Sequence, residues 1–395
     1  MPKLNGRKPL YHQIRQYVTD QINQGIWKAG DRLPSEAELA KQFGASRVTI
    51  KTAISELIDN NAIYRVQGKG TFVSADASGE PIVYEPKTEE NLGNRLIAFI
   101  LPAIVSSFTT KLLDGMEKEL SGKGYKLLYC STLSSQEEEK RVLNEVLALG
   151  VSGIVIFPVD GESYNEQILR LKLGHFPFVV VDRYFRGIET NSVCTDNIEG
   201  GRLATELLIS LGHRQIGLVS TRITDTTSVE DRVAGYEKAL SQHRIAVDHR
   251  LRITDFESIR LDSVLKDGQA DPDALKAICT FIQSNPEMTA IFALNLSAGL
   301  TIVQAVESIG LRIPEDLSVV FFDQFEMADF ARVPPTCIVQ DAAEISKAAV
   351  ELLLSAIRNP YGEPRKVTLT PQLLIRESCA PPRTKALQKN MFTIQ

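Results

Sequence analysis

From residue 107 onward, polar and aromatic residues follow short apolar runs. Those that could do chemistry are Ser107, Phe108, Phe157, Asp182, Arg183, Asp196, Arg232, Asn295 and Asp323. Carboxylates, an amide and arginines donate to or accept from hydroxyl groups, and aromatic rings can lie against C–H faces. Such a set suits a sugar. For any one of these residues alone, capping a loop or lying on the surface is at least as good an interpretation.

The apolar runs that precede these residues alternate with amphipathic helices, which is typical of a parallel sheet covered on both faces. Ligands of such sheets bind beyond the carboxyl ends of the strands. The predicted strands are residues 97–101, 126–131, 153–158 and 178–182, then 216–220, 251–254, 289–294 and 317–322. Two sets of about four strands favour two doubly wound α/β lobes, roughly at 95–192 with 342–368 and at 193–341 with 369–380. A closed (β/α)8 barrel is the alternative.

The first 75 residues predict three helices followed by a hairpin. Apolar residues at helical spacing place the first helix before Gly25. Ser35-Glu36-Ala37-Glu38 is a capping box that opens the second helix, and Ser46 starts the third. Two short strands, at residues 62–66 and 71–73, flank the turn 67–70, which contains glycine. This order predicts a winged helix-turn-helix domain at 1–75, followed by a linker at 76–94.

The third predicted helix carries side chains suited to nucleic acid. Arg47 and Lys51 share an outward face, and an arginine can pair with guanine O6 and N7 in the major groove. Ser35 and Thr49 are hydroxyls at helix starts, where they and nearby N–H groups can bind phosphate oxygens. Lys69, between two glycines at the hairpin tip, can reach a groove or a phosphate. Each residue alone has an ordinary structural interpretation, and only the combination favours DNA.

Charge is divided unevenly along the chain. Residues 1–75 hold 11 Lys and Arg against 6 Asp and Glu, whereas the rest of the chain holds 33 against 43. A basic N-terminal region on an acidic body indicates that only the first region meets a polyanion.

Residues 9–73 resemble the GntR-type winged-helix domain. The matching residues are Pro9-Leu10-Tyr11, Gly25, Leu33-Pro34-Ser35-Glu36, Leu39, Ser46-Arg47, Thr49 and Gln67-Gly68-Lys69-Gly70-Thr71-Phe72-Val73. The resemblance implies a dimer on a near-palindromic DNA site, with contacts from Ser35, Arg47, Thr49 and the wing Gly68–Gly70, and Tyr11 near the DNA backbone. Lys51 and Gln67, on the outward helix face and in the turn, complete the predicted DNA-binding set.

Residues 95–379 resemble the effector domain of the lactose-repressor family, which is related to periplasmic sugar-binding proteins. The matching motifs are Leu112-Leu113-Asp114-Gly115-Met116-Glu117, Gly153-Ile154-Val155, Val180-Val181-Asp182-Arg183, Asp196-Asn197 with Gly200-Gly201 and Ala204, Leu211-Gly212-His213-Arg214-Gln215-Ile216, Arg232 with Gly235-Tyr236, Pro314-Glu315-Asp316-Leu317-Ser318-Val319 and Phe322-Asp323. By position, the family's ligand contacts fall on Asp182, Arg232, Asp323, Phe157, Asn295 and Ser107. The chain departs from the family at Leu294-Asn295, where Asn-Asp is usual. His213 matches a structural motif.

The pairing of these two domains resembles the arabinose repressors of Gram-positive bacteria. It implies a homodimeric repressor that a monosaccharide releases from its operator, with L-arabinose as the first effector to consider. Other pentoses and deoxyhexoses stay open, as does a regulator that senses a phosphosugar or a nucleobase.

Two rival classes of protein are disfavoured by the sequence. An enzyme fused to a DNA-binding head would need a catalytic motif, yet there is no Walker loop, GxSxG, HExxH or recognisable pyridoxal-phosphate lysine. We therefore expect no cofactor and no metal site. A transport receptor would need a signal peptide, which the polar N-terminus does not resemble. Five scattered cysteines are expected to be reduced thiols of a cytoplasmic protein. Residues 381–395 carry no core-forming pattern.

Overall fold

The computed structural model of the chain describes residues 10–28, 30–59, 62–66, 70–73, 95–159, 166–220, 226–254, 268–324 and 331–383. The chain divides into two compact units, Met1–Val83 and Tyr84–Gln395, here called the head and the body. Several predictions lie outside the described residues: the linker at 76–94, the tail from residue 384, and Gln67, Gly68 and Lys69.

The head contains three helices and a hairpin, as the sequence predicts. The helices are α1 (Leu10–Asn23), α2 (Glu36–Phe43) and α3 (Arg47–Asp59), and the hairpin is β1 (Ile63–Val66) paired antiparallel with β2 (Gly70–Val73). The buried side chains of the head come from all of these elements and form one core, which includes Ile14, Val18, Leu39, Phe43, Ile50, Ile54, Leu57, Ile63 and Val73.

Caps at three positions define both ends of α2 and the start of α3. The Ser35 hydroxyl accepts a hydrogen bond from the backbone N–H of Glu38 at 3.3 Å, and the Glu38 carboxylate accepts from the backbone N–H of Ser35 at 2.7 Å. Gly44 ends α2 with a positive φ of 61°, a conformation that favours glycine. Ser46 accepts from the backbone N–H of Thr49 at 3.2 Å and starts α3. The local sequence therefore sets where α3 begins relative to α2.

The first lobe of the body is an open sheet of six parallel strands in the order β13-β7-β6-β5-β3-β4. The strands are β3 (Leu96–Leu101), β4 (Lys126–Ser131), β5 (Gly153–Ile156), β6 (Phe178–Val181), β7 (Ser192–Thr195) and β13 (Lys366–Leu369). One face packs on α4 (Ser107–Ser121) and α11 (Ala342–Arg358), and the other on α5 (Gln136–Ala148) and α6 (Glu166–Leu173). Burial on both faces explains why the inner strands are almost wholly apolar.

The second lobe is also an open six-stranded sheet, in the order β14-β12-β11-β10-β8-β9, with only β14 antiparallel. Its strands are β8 (Ile216–Val219), β9 (Arg252–Ile253), β10 (Ala290–Ala293), β11 (Ser318–Phe322), β12 (Thr336–Val339) and β14 (Gln372–Leu374). The flanking helices are α7 (Asn197–Ser210) and α8 (Thr227–Gln242) on one face, and α9 (Pro272–Ser284) and α10 (Leu296–Ser308) on the other. Two open sheets confirm the two-lobed class and exclude the barrel.

The chain crosses between the lobes three times, after β7, after β12 and after β13. The predicted boundary, roughly at 192/193, falls inside β7, which pairs with β13 through Thr195 and with β6 through Val193 and thus belongs to the first sheet. The first crossing is therefore at Asp196. The body also extends past its predicted end at residue 380, since Arg383 donates to Asp316 at 2.8 Å.

Four strands, β7, β12, β13 and β14, were absent from the sequence prediction. β13 and β14 lie at sheet edges and are partly exposed, and β7 and β12 are short and contain Ser or Thr. None of them forms the continuous apolar run by which the inner strands were recognised.

No helix in the described part of the chain is long and apolar enough to cross a bilayer. The five cysteines are all free thiols. Among the described residues, no group of three or more His, Cys, Asp or Glu side chains could hold a metal ion.

Candidate effector site and DNA-binding face

Arg232, on α8, lies at the centre of a polar cluster in the body. Only 4% of the residue is exposed. Its Nε donates to Asn197 Oδ1 at 2.8 Å and its Nη1 to the carbonyl oxygen of Leu294 at 2.7 Å, while the Phe322 ring lies 3.5 Å from the guanidinium. Burial lowers the pKa of Arg232, and the charges of Asp323 and Asp182 partly offset that effect. The guanidinium is thus held by two hydrogen bonds and an aromatic ring, with acidic groups nearby.

Glycines bring α7 and α8 close enough for Asn197 to reach Arg232. A Cβ on Gly201 would lie 2.2 Å from the Arg232 carbonyl oxygen, and one on Gly235 would lie 2.1 Å from the Ile198 carbonyl oxygen. Any other residue at either position would push the two helix backbones apart. The Gly-Gly and Gly-Tyr motifs noted in the sequence therefore act by allowing this contact.

Asp323 follows β11 directly and adopts a positive φ of 76°. Its Oδ1 accepts a hydrogen bond from Gln340 Nε2 at 2.8 Å, and Gln340 Oε1 accepts from the Thr195 hydroxyl at 2.6 Å. Desolvation raises the pKa of the Asp323 carboxyl, while Arg232 and the Gln340 amide act in the opposite direction. Thr195 and Gln340 lie at two of the three lobe crossings, which are here called the hinge. Hydrogen bonds therefore connect the Asp323 carboxylate to the hinge.

Asp182 occupies the equivalent position in the first lobe, directly after β6, and also has a positive φ, of 68°. Its Oδ2 lies 3.7 Å from Arg183 Nε. Arg183 Nη1 donates to the Pro158 carbonyl oxygen at 2.6 Å, and the guanidinium lies 4.9 Å from the centre of the Phe157 ring. The first lobe therefore presents a carboxylate, a cation and an aromatic ring together at the carboxyl ends of β5 and β6.

The structure brings Asp182, Arg183, Phe157, Arg232 and Asp323 into one electrostatically connected group. Other members of the predicted effector set have structural roles in the described contacts, and they are Asp196, Asn295 and Phe108. Asp196 accepts a hydrogen bond from the backbone N–H of Glu199 and caps α7. Asn295 accepts one from the backbone N–H of Ala298 and caps α10. Phe108 is 8% exposed and belongs to the first-lobe core. Ser107 is buried in the first turn of α4, whose N-cap is the preceding Ser106.

Polar residues that were not in the predicted effector set also belong to the cluster. Asn197 and Gln340 are both buried and bond Arg232 and Asp323 respectively. Asn197 lies next to Asp196 within a motif that the sequence singles out, so the residue that contacts Arg232 is one position further along. Gln340 carries no comparable signal, because it follows β12, which the apolar pattern does not reveal.

On the head, the described residues predicted to meet DNA lie in or next to the three helices and at the start of β2. Arg47 is the first helical residue, Thr49 Oγ1 lies 2.8 Å from the Ser46 hydroxyl, and Lys51 is exposed one turn later. Ser35 is exposed at the start of α2, and Tyr11 packs partly buried against the head core. Gly70 begins β2, next to the undescribed part of the wing.

Two family models match the chain. One, described as bacterial regulatory proteins of the gntR family, matches residues 10–73. The other, described as a periplasmic binding protein-like domain, matches residues 205–379.

Relatives and solved structures extend the likeness over nearly the whole chain. An arabinose metabolism transcriptional repressor from Geobacillus stearothermophilus is 29% identical and covers 94% of this chain and 97% of its own. The ribose operon repressor of Haemophilus influenzae is 28% identical over 72% of this chain and 81% of its own. A LacI family transcriptional regulator from Enterococcus faecium, solved with bound ribose, superposes with a TM-score of 0.61 at 26% identity and covers 73% of this chain and all of its own.

Fold and relatives together indicate the class. The chain joins a domain that matches the gntR family model to a periplasmic binding protein-like body, and the relatives that share this body are transcriptional repressors.

Proposed function

We propose that the protein is a cytoplasmic homodimer that represses carbohydrate-utilisation genes and is released from its operator by a monosaccharide, with L-arabinose as the leading effector. One observation supports this most directly. A carboxylate and an arginine from each lobe, with an aromatic ring from the first, lie near the carboxyl ends of parallel strands. The same chain carries a GntR-type head. A sugar held by both lobes would favour the conformation in which they are close.

The charge of the cluster argues for an uncharged polyol. Two carboxylates, Asp182 and Asp323, accompany two guanidinium groups, Arg183 and Arg232. Hydroxyl groups can donate to the former and accept from the latter. A phosphosugar would place a dianion next to both carboxylates, so this alternative is less favourable. L-Arabinose comes first because an arabinose metabolism repressor is similar over 94% of this chain and 97% of its own.

A nucleobase is the other alternative effector. It would need a flat stacking surface as well as hydrogen bonds, whereas charged groups, two carboxylates and two guanidinium groups, dominate this cluster. We therefore place it below a monosaccharide.

Release follows from linkage between two sites. If sugar and operator prefer different conformations of the body, each weakens the binding of the other by the same factor. The test is a gel-shift titration of the full chain on fragments of its own promoter region, with and without L-arabinose, D-ribose and D-xylose. We expect salt-sensitive binding that one of these sugars reverses. Operator affinity unchanged by any sugar that binds the protein would contradict the mechanism.

A thermal-shift screen identifies that sugar independently of DNA. A ligand at a hundred times its Kd adds about 2.7 kcal/mol to the free energy of unfolding. A larger shift with a sugar phosphate or a free nucleobase than with any monosaccharide would replace the proposed effector class.

A further inference from the structure

A second group of polar residues joins the two lobes beside the effector cluster. It is here called the latch and consists of Tyr184, Arg186 and Lys366 from the first lobe and Thr227, Glu230 and Asp231 from the second. Tyr184 and Arg186 lie in the loop between β6 and β7, and Lys366 begins β13. The other three residues lie in the first two turns of α8, whose apolar face is part of the second-lobe core.

Tyr184 makes the central contacts of the latch. Its hydroxyl donates to the Asp231 carboxylate, with the two oxygens at 3.0 and 3.2 Å. The Tyr184 backbone N–H donates to Thr227 Oγ1 at 3.3 Å, and the Thr227 hydroxyl donates to the Tyr184 carbonyl oxygen at 3.1 Å. The Lys366 ammonium lies 3.3 Å from the centre of the tyrosine ring, which holds the ring from within its own lobe.

The two sides of the latch carry complementary charge. Arg186 and Lys366 make the first-lobe side basic, while Glu230 and Asp231 make the second-lobe side acidic. Arg186 Nη2 lies 2.6 Å from Glu230 Oε2 and 3.9 Å from Asp231 Oδ1. Burial of the phenol, together with the negative charge of Asp231, raises the pKa of Tyr184 to about 12, so the phenol is a neutral donor at physiological pH.

Sequence adjacency connects the latch to the effector cluster. Tyr184 directly follows Asp182 and Arg183, and Asp231 directly precedes Arg232. Moving Tyr184 away from Asp231 would therefore move the first-lobe site residues away from Arg232. We propose that Tyr184 and Asp231 are positioning residues whose contact holds the two lobes together and so sets the affinity of the body for its effector. The effect on effector affinity rests on the proposed function; the lobe contact does not.

The central test is Tyr184→Phe in the full chain, because this variant removes only the hydroxyl and keeps the ring against Lys366. The control is Tyr361→Phe, which removes a hydroxyl from an exposed tyrosine of the same lobe. Noncanonical residues at positions 137 and 273, one exposed site in each lobe, carry spin labels for distance measurement. Without sugar or DNA, Tyr184→Phe should lengthen and broaden the distance between the lobes, and Tyr361→Phe should not.

The second measurement is the Kd for L-arabinose by calorimetry. A hydrogen bond to a charged group is worth about a factor of ten or more in an equilibrium, so Tyr184→Phe should raise the Kd about tenfold, with a faster dissociation rate. In Asp231→Asn, which keeps an acceptor for the hydroxyl, the increase should be smaller. The double variant should raise the Kd by less than the product of the two single increases, because the two residues act as a pair.

The outcomes separate the latch from the proposed function. Distances and sugar affinity that are the same in Tyr184→Phe, Tyr361→Phe and the unaltered chain would overturn the latch. If L-arabinose fails to bind even the unaltered chain, the effector assignment fails, while the sugar-free distances still decide the latch. If Tyr184→Phe does not fold, Asp231→Asn decides with the same two measurements. Raising the salt concentration should also lengthen the lobe distance in the unaltered chain, since Arg186 and Glu230 are partly exposed.

Discussion

At the scale of single residues, the effector site depends on charges held in place by neutral neighbours. Asp323 is bonded by Gln340 and lies near the buried Arg232, which is itself held by Asn197. The positive φ of Asp323 places its carboxylate beyond the strand end rather than along the strand. The hinge, through Thr195, is part of the same chain of hydrogen bonds.

Asp323→Asn tests the negative charge of this site with little change in shape. The amide oxygen can still accept from Gln340, but a sugar hydroxyl loses a charged acceptor. We expect the Kd of the effector to rise by about a factor of ten or more, while operator binding without sugar stays unchanged. Calorimetry measures the Kd of the effector, and gel shifts measure operator binding. A loss of operator binding would indicate that the residue is structural.

On the head, Arg47 and Lys51 are expected to differ in what they recognise. Arg47→Ala should cost about 1–3 kcal/mol at the operator and relax base preference, because a bidentate contact with guanine is lost. Lys51→Ala, on the exposed face one turn later, should weaken operator and unrelated DNA alike and reduce the salt dependence, as expected for a phosphate contact. Gel shifts of each variant on an operator fragment and on an unrelated fragment, at several salt concentrations, distinguish the two roles. Equal effects of the two variants on base preference would contradict these assignments.

At the scale of elements, the contact between α7 and α8 positions Arg232 next to Asn197. Gly201→Ala places a methyl group where there is no space, so we expect a loss of about 1–3 kcal/mol in unfolding free energy and weaker effector binding. Gly122→Ala, at the end of α4, is a milder control, since its Cβ would lie 3.3 Å from the nearest atom. Urea unfolding and calorimetry measure the two effects. Equal behaviour of the two variants would show that α7 and α8 can separate without consequence.

Another element-scale contact joins the start of β8 to the C-terminal segment through His213. Its Nε2 lies 2.9 Å from the Ala380 carbonyl oxygen and its Nδ1 lies 2.8 Å from Thr289 Oγ1. Burial lowers the pKa of the imidazole, and the bond to Ala380 only partly offsets this. The unfolded chain therefore binds a proton more readily than the folded one at this residue.

Because of His213, the free energy of unfolding should consequently decrease as the pH is lowered. As the pH drops below about 6.5, the ordinary pKa of histidine, unfolding takes up a proton and becomes more favourable. His213→Gln removes this linkage and keeps both a donor and an acceptor. Its melting temperature should lie below that of the unaltered chain at pH 7.5, and the gap should narrow towards pH 5.5. A gap independent of pH would contradict the assignment.

At the scale of the whole molecule, the body has its own hydrophobic cores in both lobes and forms a unit separate from the head. A chain of residues 95–395 is expected to fold and to bind the effector with a Kd within about twofold of the full chain without DNA. Only the full chain should lose sugar affinity when operator DNA is added, because coupling is reciprocal. Calorimetry of both chains tests this. A body that needs the head to bind sugar would contradict the division of roles.

The sequence by itself determined what depends on local pattern. The capping box at Ser35, the inner strands and the two-lobed class follow from near-neighbour chemistry and from burial on both faces of a sheet, and the structure agrees with them. Asp182, Arg183 and Asp323 could be predicted because strand ends meet at one edge of a sheet, and Arg232, on α8, from the resemblance of its motif.

Only the tertiary structure decided which polar residue at each strand end faces the cluster and which caps a helix. Asp196 and Asn295 have the same chemistry as Asp182 and Asp323, but their side chains bond the backbone of the next helix instead. Gln340 and Tyr184 gain their partners from strands and helices 17 to 145 residues away. Such contacts depend on how three lobe crossings bring distant segments together, and no local pattern records that geometry.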